Sequence, residues 1–441
     1  MEHYYEKIKS LDQYPALSVM AELCAGAQEA CLYEIGDEIT IGLGVHTEIC
    51  VSAREIVVTC AGESNRVKVQ ALCEDLEKVL SEIALRDWRM YGIVNFSLAR
   101  YIYGLDGGDE DQTLFHFLIP ETEYRICGKE VRLRSVTQAG VEALEQKLEQ
   151  ALNQKADETQ QTFLDAEAVI GYDADYYKKI VSAGVAEIQN GEYQKVILSR
   201  KVPLHARLDM KQTYLSGRQA NTPARSYWYR MRGFEVVGFS PETVAEVDNK
   251  GTVYTFPLAG TRALTEDKNL NKALKQELLH DTKEIAEHAV SVKLAEEELQ
   301  QVCKPGSVVV TEFMSVMERG TVQHLGSRLR GKLRADLNRW HALCKLFPAV
   351  TASGIPKREA IDAIGRIEQE PRGLYSGSVM ICDSDGALDA ALVLRSVFQT
   401  PEESWARVGA GIVDMSKPER EFTETQEKVS CIARNLVAAK S

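Results

Sequence analysis

Apolar residues alternate with polar ones over many short stretches and recur at three- and four-residue spacing over fewer, longer ones. The first pattern marks strands and the second amphipathic helices. Up to about residue 135 the short stretches dominate. Strands are predicted at 39–44, 54–59, 114–120 and 130–135. A helix is predicted over 67–88, with Val69, Leu72, Leu76, Val79 and Leu80 on one side. Another spans 138–154, and the polar run 155–162 after it reads as an internal boundary. The chain is therefore divided into a sheet-and-helix part, 1–165, and a region 166–441 that carries the chemistry. A helix over 173–189 opens the second region and ends at Asn190-Gly191, where glycine takes a left-handed cap.

Strands at 194–200, 226–231, 234–240, 243–247 and 252–256 follow. In the first, period two puts Lys195, Ile197 and Ser199 on one face. A lysine among Val, Ile and Leu is either an edge-strand gatekeeper or a buried amine. Burial and a nearby cation both disfavour the ammonium, which makes Lys195 a candidate general base. Pro241 bars regular central-strand pairing and puts Glu242 at a bend; alone, Glu242 reads equally well as a surface residue. The 257–262 stretch, Pro-Leu-Ala-Gly-Thr261-Arg262, reads as a strand-to-loop exit whose small residues admit a ligand.

From Glu277 a long helix begins, and Glu284 and Glu287 share one of its faces. Glu421 and Glu424 repeat that spacing near the end of the chain, with Lys428 one turn beyond Glu424. Each pair alone reads as a solvated acidic face. The two pairs together also suit a divalent metal, because close carboxylates repel unless a cation lies between them. Between these helices come a strand at 307–310, the segment 321–327 and a helix over 336–347. A small-residue turn at 351–357 opens another helix, and Leu374-Tyr375-Ser-Gly377 leads into a strand. A strand over 389–398 buries Arg395, whose planar fork suits a ligand carboxylate or an internal glutamate. A glycine-bearing strand around Gly409 and Gly411 precedes the last helix.

Composition narrows the class. With 441 residues, 44% hydrophobic and 27% charged, the chain is of soluble globular type. A net charge of −13 argues against nucleic-acid and anionic-membrane partners. An anionic small substrate remains open where local Arg, Lys or a metal reverses the field. The ten cysteines form no C-x-x-C pair, so they read as reduced thiols of a cytoplasmic protein. No signal peptide and no membrane-spanning run is apparent.

Gly-Phe-Ser-Pro-Glu242, Pro-Leu-Ala-Gly-Thr261-Arg262, Lys283-Glu284-Ile-Ala-Glu287-His288, Thr351-Ala-Ser-Gly-Ile-Pro-Lys357, Leu374-Tyr375-Ser-Gly377, Ala-Leu-Val-Leu-Arg395 and Gly409-Ala-Gly411-Ile occur in this order. The set resembles the chorismate-using enzymes, namely the anthranilate, aminodeoxychorismate, isochorismate and salicylate synthases, over about 172–441. Within that family it is most similar to the bacterial salicylate synthases of siderophore biosynthesis. The resemblance implies an α+β fold of two layered, mostly antiparallel sheets with helices outside and the active site in the cleft between. It implies chorismate as substrate and Mg²⁺ held by Glu284, Glu287, Glu421 and Glu424. It places Tyr375, Arg395 and Gly409 at the enolpyruvyl carboxylate, with Thr351, Gly411 and Lys428 also in reach of substrate.

Ammonia-using members tend to carry Gln where this chain has Lys195. Lys195 is therefore expected to take a proton from water, with Glu242 as general acid, Thr261 orienting hydroxyl or water, and His324 near the ring carboxylate. The expected product is salicylate, formed through isochorismate by pericyclic loss of pyruvate. An isochorismate synthase without the second step and a non-catalytic chorismate-binding protein are the alternatives. No amidotransferase subunit is expected, and the protein is expected to act as a monomer.

Overall fold

The computed structural model describes residues 2–13, 15–105, 110–154, 161–319 and 322–440. Its strands form two large sheets whose neighbouring strands pair antiparallel, with helices on the outer face of each. The α+β arrangement of two layered sheets expected from the sequence is what is found. Strands from early and late in the chain share both sheets. Ala30–Ile35 pairs with Arg225–Met231 in one, and Arg89–Val94 with Ser378–Asp383 in the other. The 155–160 part of the proposed boundary lies outside the described residues, as does Thr321 of the 321–327 segment.

Side-chain alternation along the strands builds three core layers. In Arg89–Val94, Met90 and Val94 pack under the helices of one sheet while Tyr91 and Ile93 enter the space between the sheets. In Arg225–Met231, Trp228 packs under the helices of the other sheet, and Tyr227, Tyr229 and Met231 meet the inter-sheet layer. Covering both faces leaves strands such as Arg89–Val94 and Phe115–Ile119 buried along their whole length.

The structure alters four element predictions. The helix over 67–88 is shorter, Leu72–Ser81, because Val67 lies in a strand, Glu63–Lys68, opposite Ile56. Asp75 then caps the helix start by accepting from the backbone N–H of Gln70 and Ala71. The long helix from Glu277 is two, Lys268–His280 and Thr282–Val302, because the Asp281 side chain accepts from the N–H groups of Lys283 and Glu284 and starts a new helix. The exit at 257–262 is a strand, Leu258–Ala263, paired with Val322–Lys332. The single strand over 389–398 is also two, and they lie in different sheets. Leu388–Leu392 and Ser396–Gln399 are joined by a crossing in which Arg395 has φ of 50°.

Behind the cleft, Glu368 closes a buried ionic cluster. Its two oxygens accept from Arg372 and Arg407, each at 2.7 Å, and the Ser199 N–H donates to it at 2.7 Å. Burial raises the Glu368 pKa, but the two guanidiniums outweigh that and hold it below the usual carboxylate range. The three side chains are 1–4% exposed, so removing the acid strands two buried cations. Glu368→Ala is expected to lose about 3–5 kcal/mol of stability, read as a markedly lower melting temperature. A melt like that of the parent protein contradicts the assignment.

Candidate active site

The two sheets exchange chain at neighbouring points, and both crossings deliver a candidate residue. Phe234–Ser240 belongs to one sheet and Thr243–Val247 to the other, so Pro241 and Glu242 form the passage between them. Arg395 occupies the reverse passage. Hydrogen bonds knit the two together: Leu392 N–H donates to the Glu242 carbonyl at 3.0 Å and Phe239 N–H to the Arg395 carbonyl at 3.2 Å. The Ser240 hydroxyl lies 2.6 Å from the Leu392 carbonyl and 2.8 Å from that of Glu242.

Beside these crossings lies a cavity of about 530 Å³, and every residue singled out in the sequence lines it. Lys195 begins the strand Lys195–Pro203, which pairs with Ser404–Ile412 so that Ile197 faces Gly411 and Ser199 faces Gly409. Val196 and Leu198 point into the core, which leaves Lys195 and Ile197 on the cavity side. A Cβ on Gly411 would sit 3.1 Å from Lys195 Cε, so that glycine makes room for the lysine stem.

Thr261 and His324 are partners across the Leu258–Ala263 and Val322–Lys332 pairing. Thr261 Oγ1 lies 3.0 Å from His324 Nδ1, and Arg395 Nη2 lies 3.0 Å from His324 Nε2. A guanidinium only donates, so Nε2 is the acceptor and Nδ1 carries the proton toward Thr261. Gly260, just before Thr261 at φ of 83°, is also where a Cβ would press within 3.2 Å of the Glu284 carboxylate.

Glu284 and Glu287 project from the first two turns of Thr282–Val302, and Glu421, Glu424 and Lys428 from Pro418–Ala433. Three of these four carboxylates contact a protein cation. Arg262 reaches Glu284 at 3.0 Å, Lys195 reaches Glu287 at 2.5 Å and Lys428 reaches Glu424 at 2.7 Å. Lys428 also lies 3.3 Å from the Gly409 carbonyl. Of the two readings of Lys195, edge gatekeeper or buried amine, the buried one holds, and the charge beside it is the anion of Glu287 rather than a cation. Glu421 has no ion-pair partner among the described residues, and burial, then its neighbour Glu424, raise its pKa. Against the cost of burial, Lys195 holds Glu287 below the usual range. In this arrangement Glu284, Glu287 and Glu424 are each drawn to a separate cation rather than gathered with Glu421 into a cage. The donor set is all oxygen, which suits a hard divalent ion, and repulsion at Glu421 is what such an ion relieves.

Glu242 differs from the other acids. Burial pushes its pKa up to about 8, although the Thr351 hydroxyl, 2.9 and 3.0 Å from its two oxygens, pulls the other way. It is thus poised to carry a proton near neutrality.

The site also contains residues the sequence reading left out. Arg262, Lys283, Arg407 and Arg420 line the cavity, so its wall is far less acidic than four glutamates suggest. Arg262 binds Glu277, Asp281 and Glu284 together. Acids spaced i, i+4, i+7 next to a motif arginine were the available signal.

The family pattern for chorismate binding enzymes matches residues 28–434. This chain belongs to that family. It is 39% identical to the salicylate synthase of Mycolicibacterium paratuberculosis over 98% of this chain and 94% of that protein. It is 37% identical to anthranilate synthase component 1 of Aeropyrum pernix over 59% of each. The fold matches anthranilate synthase component I of Streptococcus pneumoniae with a TM-score of 0.74 at 24% identity, covering 90% of this chain and 92% of that one. It matches the menaquinone-specific isochorismate synthase of Escherichia coli equally, with a TM-score of 0.74 at 20% identity, covering 98% and 94%. The chain is a chorismate-utilising enzyme of α+β fold.

The raised Glu242 pKa has a consequence for stability. The folded protein holds a proton there between the ordinary glutamate pKa of 4.5 and about 8, whereas the unfolded chain has lost it. This contribution is full below 4.5 and is lost as pH rises toward 8. Glu242→Gln removes the titration. Its melting temperature is expected to gain on the parent protein as pH rises from 5 to 8, by the equivalent of roughly 3 kcal/mol. Parallel melting curves across that range contradict a buried, protonated Glu242.

Proposed function

We propose that the protein is a Mg²⁺-dependent salicylate synthase that converts chorismate through isochorismate to salicylate and pyruvate, serving siderophore biosynthesis as the resemblance implies. The observation that carries the reading is the end-to-end 39% identity to a salicylate synthase, with Lys195 and Glu242 both on the cavity wall. Support for the metal comes from the donor set. Glu284, Glu287, Glu421 and Glu424 are hard oxygen ligands on two helices, and Mg²⁺ bound there would neutralise and orient the substrate ring carboxylate.

The protein's own groups perform the proton transfers. Lys195 takes a proton from water as its oxygen bonds to ring carbon C2. Both ring double bonds shift, C1=C2 to C1=C6 and C5=C6 to C4=C5, and the C4 oxygen departs with a proton from Glu242, whose raised pKa suits a general acid. Water is both consumed and released, so chorismate becomes isochorismate with no change in composition. For Lys195 to serve as base, its contact with Glu287 must be given up, and Glu287 belongs to the proposed metal set.

Tyr375, Arg395 and the backbone at Gly409 hold the enolpyruvyl carboxylate, with Thr351, Gly411 and Lys428 completing the substrate wall. Thr261 orients the hydroxyl or water, and His324 stands near the ring carboxylate. In the second step hydrogen moves from C2 to the enolpyruvyl methylene while the C3–oxygen bond breaks. Aromatisation drives this step, and the wall supplies a fixed conformer rather than an acid or base. Water as nucleophile removes any need for an amidotransferase subunit.

Chromatography of a reaction containing only protein, chorismate and Mg²⁺ is expected to show salicylate and pyruvate in equal amounts, and chelation of Mg²⁺ is expected to stop it. Lasting isochorismate assigns the protein to the isochorismate synthases instead. Unchanged chorismate assigns it to a binding role. Lys195→Ala and Glu242→Gln are each expected to cut isochorismate formation by about 10²–10⁴-fold with the fold intact by circular dichroism. Near-parental turnover in either variant refutes its proton-transfer role. The parent kcat/KM is expected to fall as pH rises above about 8, as Glu242 loses its proton.

A further inference from the structure

The far end of the larger sheet holds a second group of chemistry-bearing side chains that the proposed reaction leaves unused. Thr47–Val51 pairs with Phe115–Ile119, and Cys50 lies opposite His116. Period two turns Ile49 and Val51 into the core and puts Glu48 and Cys50 together on the other face. His116 joins them from the neighbouring strand. One donor atom from each of the three lies within 4.8 Å of the others, which among the described residues no other set of three His, Cys, Asp or Glu matches. Glu48 and His116 are buried and Cys50 is half-buried, so the group opens to one side.

From these residues we infer a binding site for a borderline-soft divalent transition metal of the zinc class. An imidazole nitrogen, a thiolate sulfur and a carboxylate oxygen form a mixed donor set that suits Zn²⁺ and not Mg²⁺. Three protein ligands leave a fourth tetrahedral position, on the open side. His116 Nε2 lies 2.7 Å from Glu48 Oε1, and donors around zinc sit about 3.3 Å apart for bonds near 2.0–2.1 Å. Side-chain rotation of well under an ångström separates them.

The carboxylate is already oriented. Arg232, on the turn between Arg225–Met231 and Phe234–Ser240 of the other sheet, donates to Oε2 and leaves Oε1 to the site. Such an outer partner fixes a ligand's direction and its ionised form. Burial works against the charge of Glu48, yet the bonds from His116 and Arg232 hold its pKa down to about 2. In the metal-free arrangement the proton on His116 Nε2 faces the Glu48 carboxylate. A metal takes its place and releases it.

Cobalt(II) reads this site directly, because only a thiolate ligand gives the intense near-ultraviolet charge-transfer band. The four-glutamate site has no sulfur and stays silent in that region. The reduced, chelator-treated full-length protein is titrated with CoCl₂. One equivalent per chain is expected to develop the band, zinc to abolish it and excess Mg²⁺ to leave it. Cys50→Ser and His116→Ala are expected to lose the band, while Cys344→Ser keeps it. Absence of a band in the parent protein overturns the inference, as does a band that survives Cys50→Ser. Should His116→Ala fail to fold, the near-isosteric Cys50→Ser decides the matter alone, its fold checked by circular dichroism.

Discussion

The structure depends on the chain passing twice between two sheets at adjacent places. One passage holds Glu242 and the other Arg395, and backbone hydrogen bonds link each to the strand ends beside the other. Glu242 and Arg395 enter the cleft through this exchange, whereas Lys195, Thr261 and His324 enter it from paired strands. Arg395 has φ of 50°, an unfavourable conformation for a residue with a Cβ. It persists because Phe239 bonds its carbonyl and the strands on either side are locked in different sheets. Strain concentrated where the surroundings over-determine the backbone is characteristic of functional positions. Here it aims a guanidinium at His324 and sets the tautomer of the ring.

Charge is organised by the same logic. The cavity gathers acids from two helices, yet protein cations contact Glu284 and Glu287 from other elements and Glu424 from its own helix. Burying a carboxylate alone is costly, so each of these contacts offsets desolvation in the metal-free protein. Under the proposed reading, the same contacts compete with a metal, and binding it hands Arg262, Lys195 and Lys428 back to the cavity. Metal and anionic substrate then reinforce each other, because the cations released face the substrate. Binding of one is thermodynamically linked to binding of the other.

Much of this was legible in the sequence because it rests on local patterns. The Glu284/Glu287 spacing placed two acids on one helix face. Pro241 marked a bend, and alternation placed Lys195 on the face of Ile197. What the sequence did not disclose is pairwise and distant. Nothing near Arg395 shows that the run 389–398 changes sheet after Leu392, because both halves are equally apolar. The contact of Lys195 with Glu287 joins residues far apart in sequence, so the sign of the charge beside the lysine could not be read from its own strand. Asp281 was overlooked as a helix start because apolar periodicity continues through it, although Asp followed by an acid three positions later is a capping pattern. The role of Glu368 was invisible for a similar reason, since both of its arginines are identified only by the folded chain.

The Glu48, Cys50 and His116 group shows the limit from the other side. Its residues occur in stretches that read only as strands, and their spacing of two and sixty-six matches no short metal motif. Strand pairing alone creates the site, by setting Cys50 opposite His116. Its donors also differ in hardness from those in the cleft, so the two sites would sort ions by chemistry rather than by competition. A hard, strongly hydrated ion gains little from a thiolate, and a borderline ion gains most where sulfur and imidazole nitrogen meet. Separation toward opposite ends of one sheet would keep either ion, if bound, from altering the charge seen by the other, since interactions beyond about one Debye length are screened in solution.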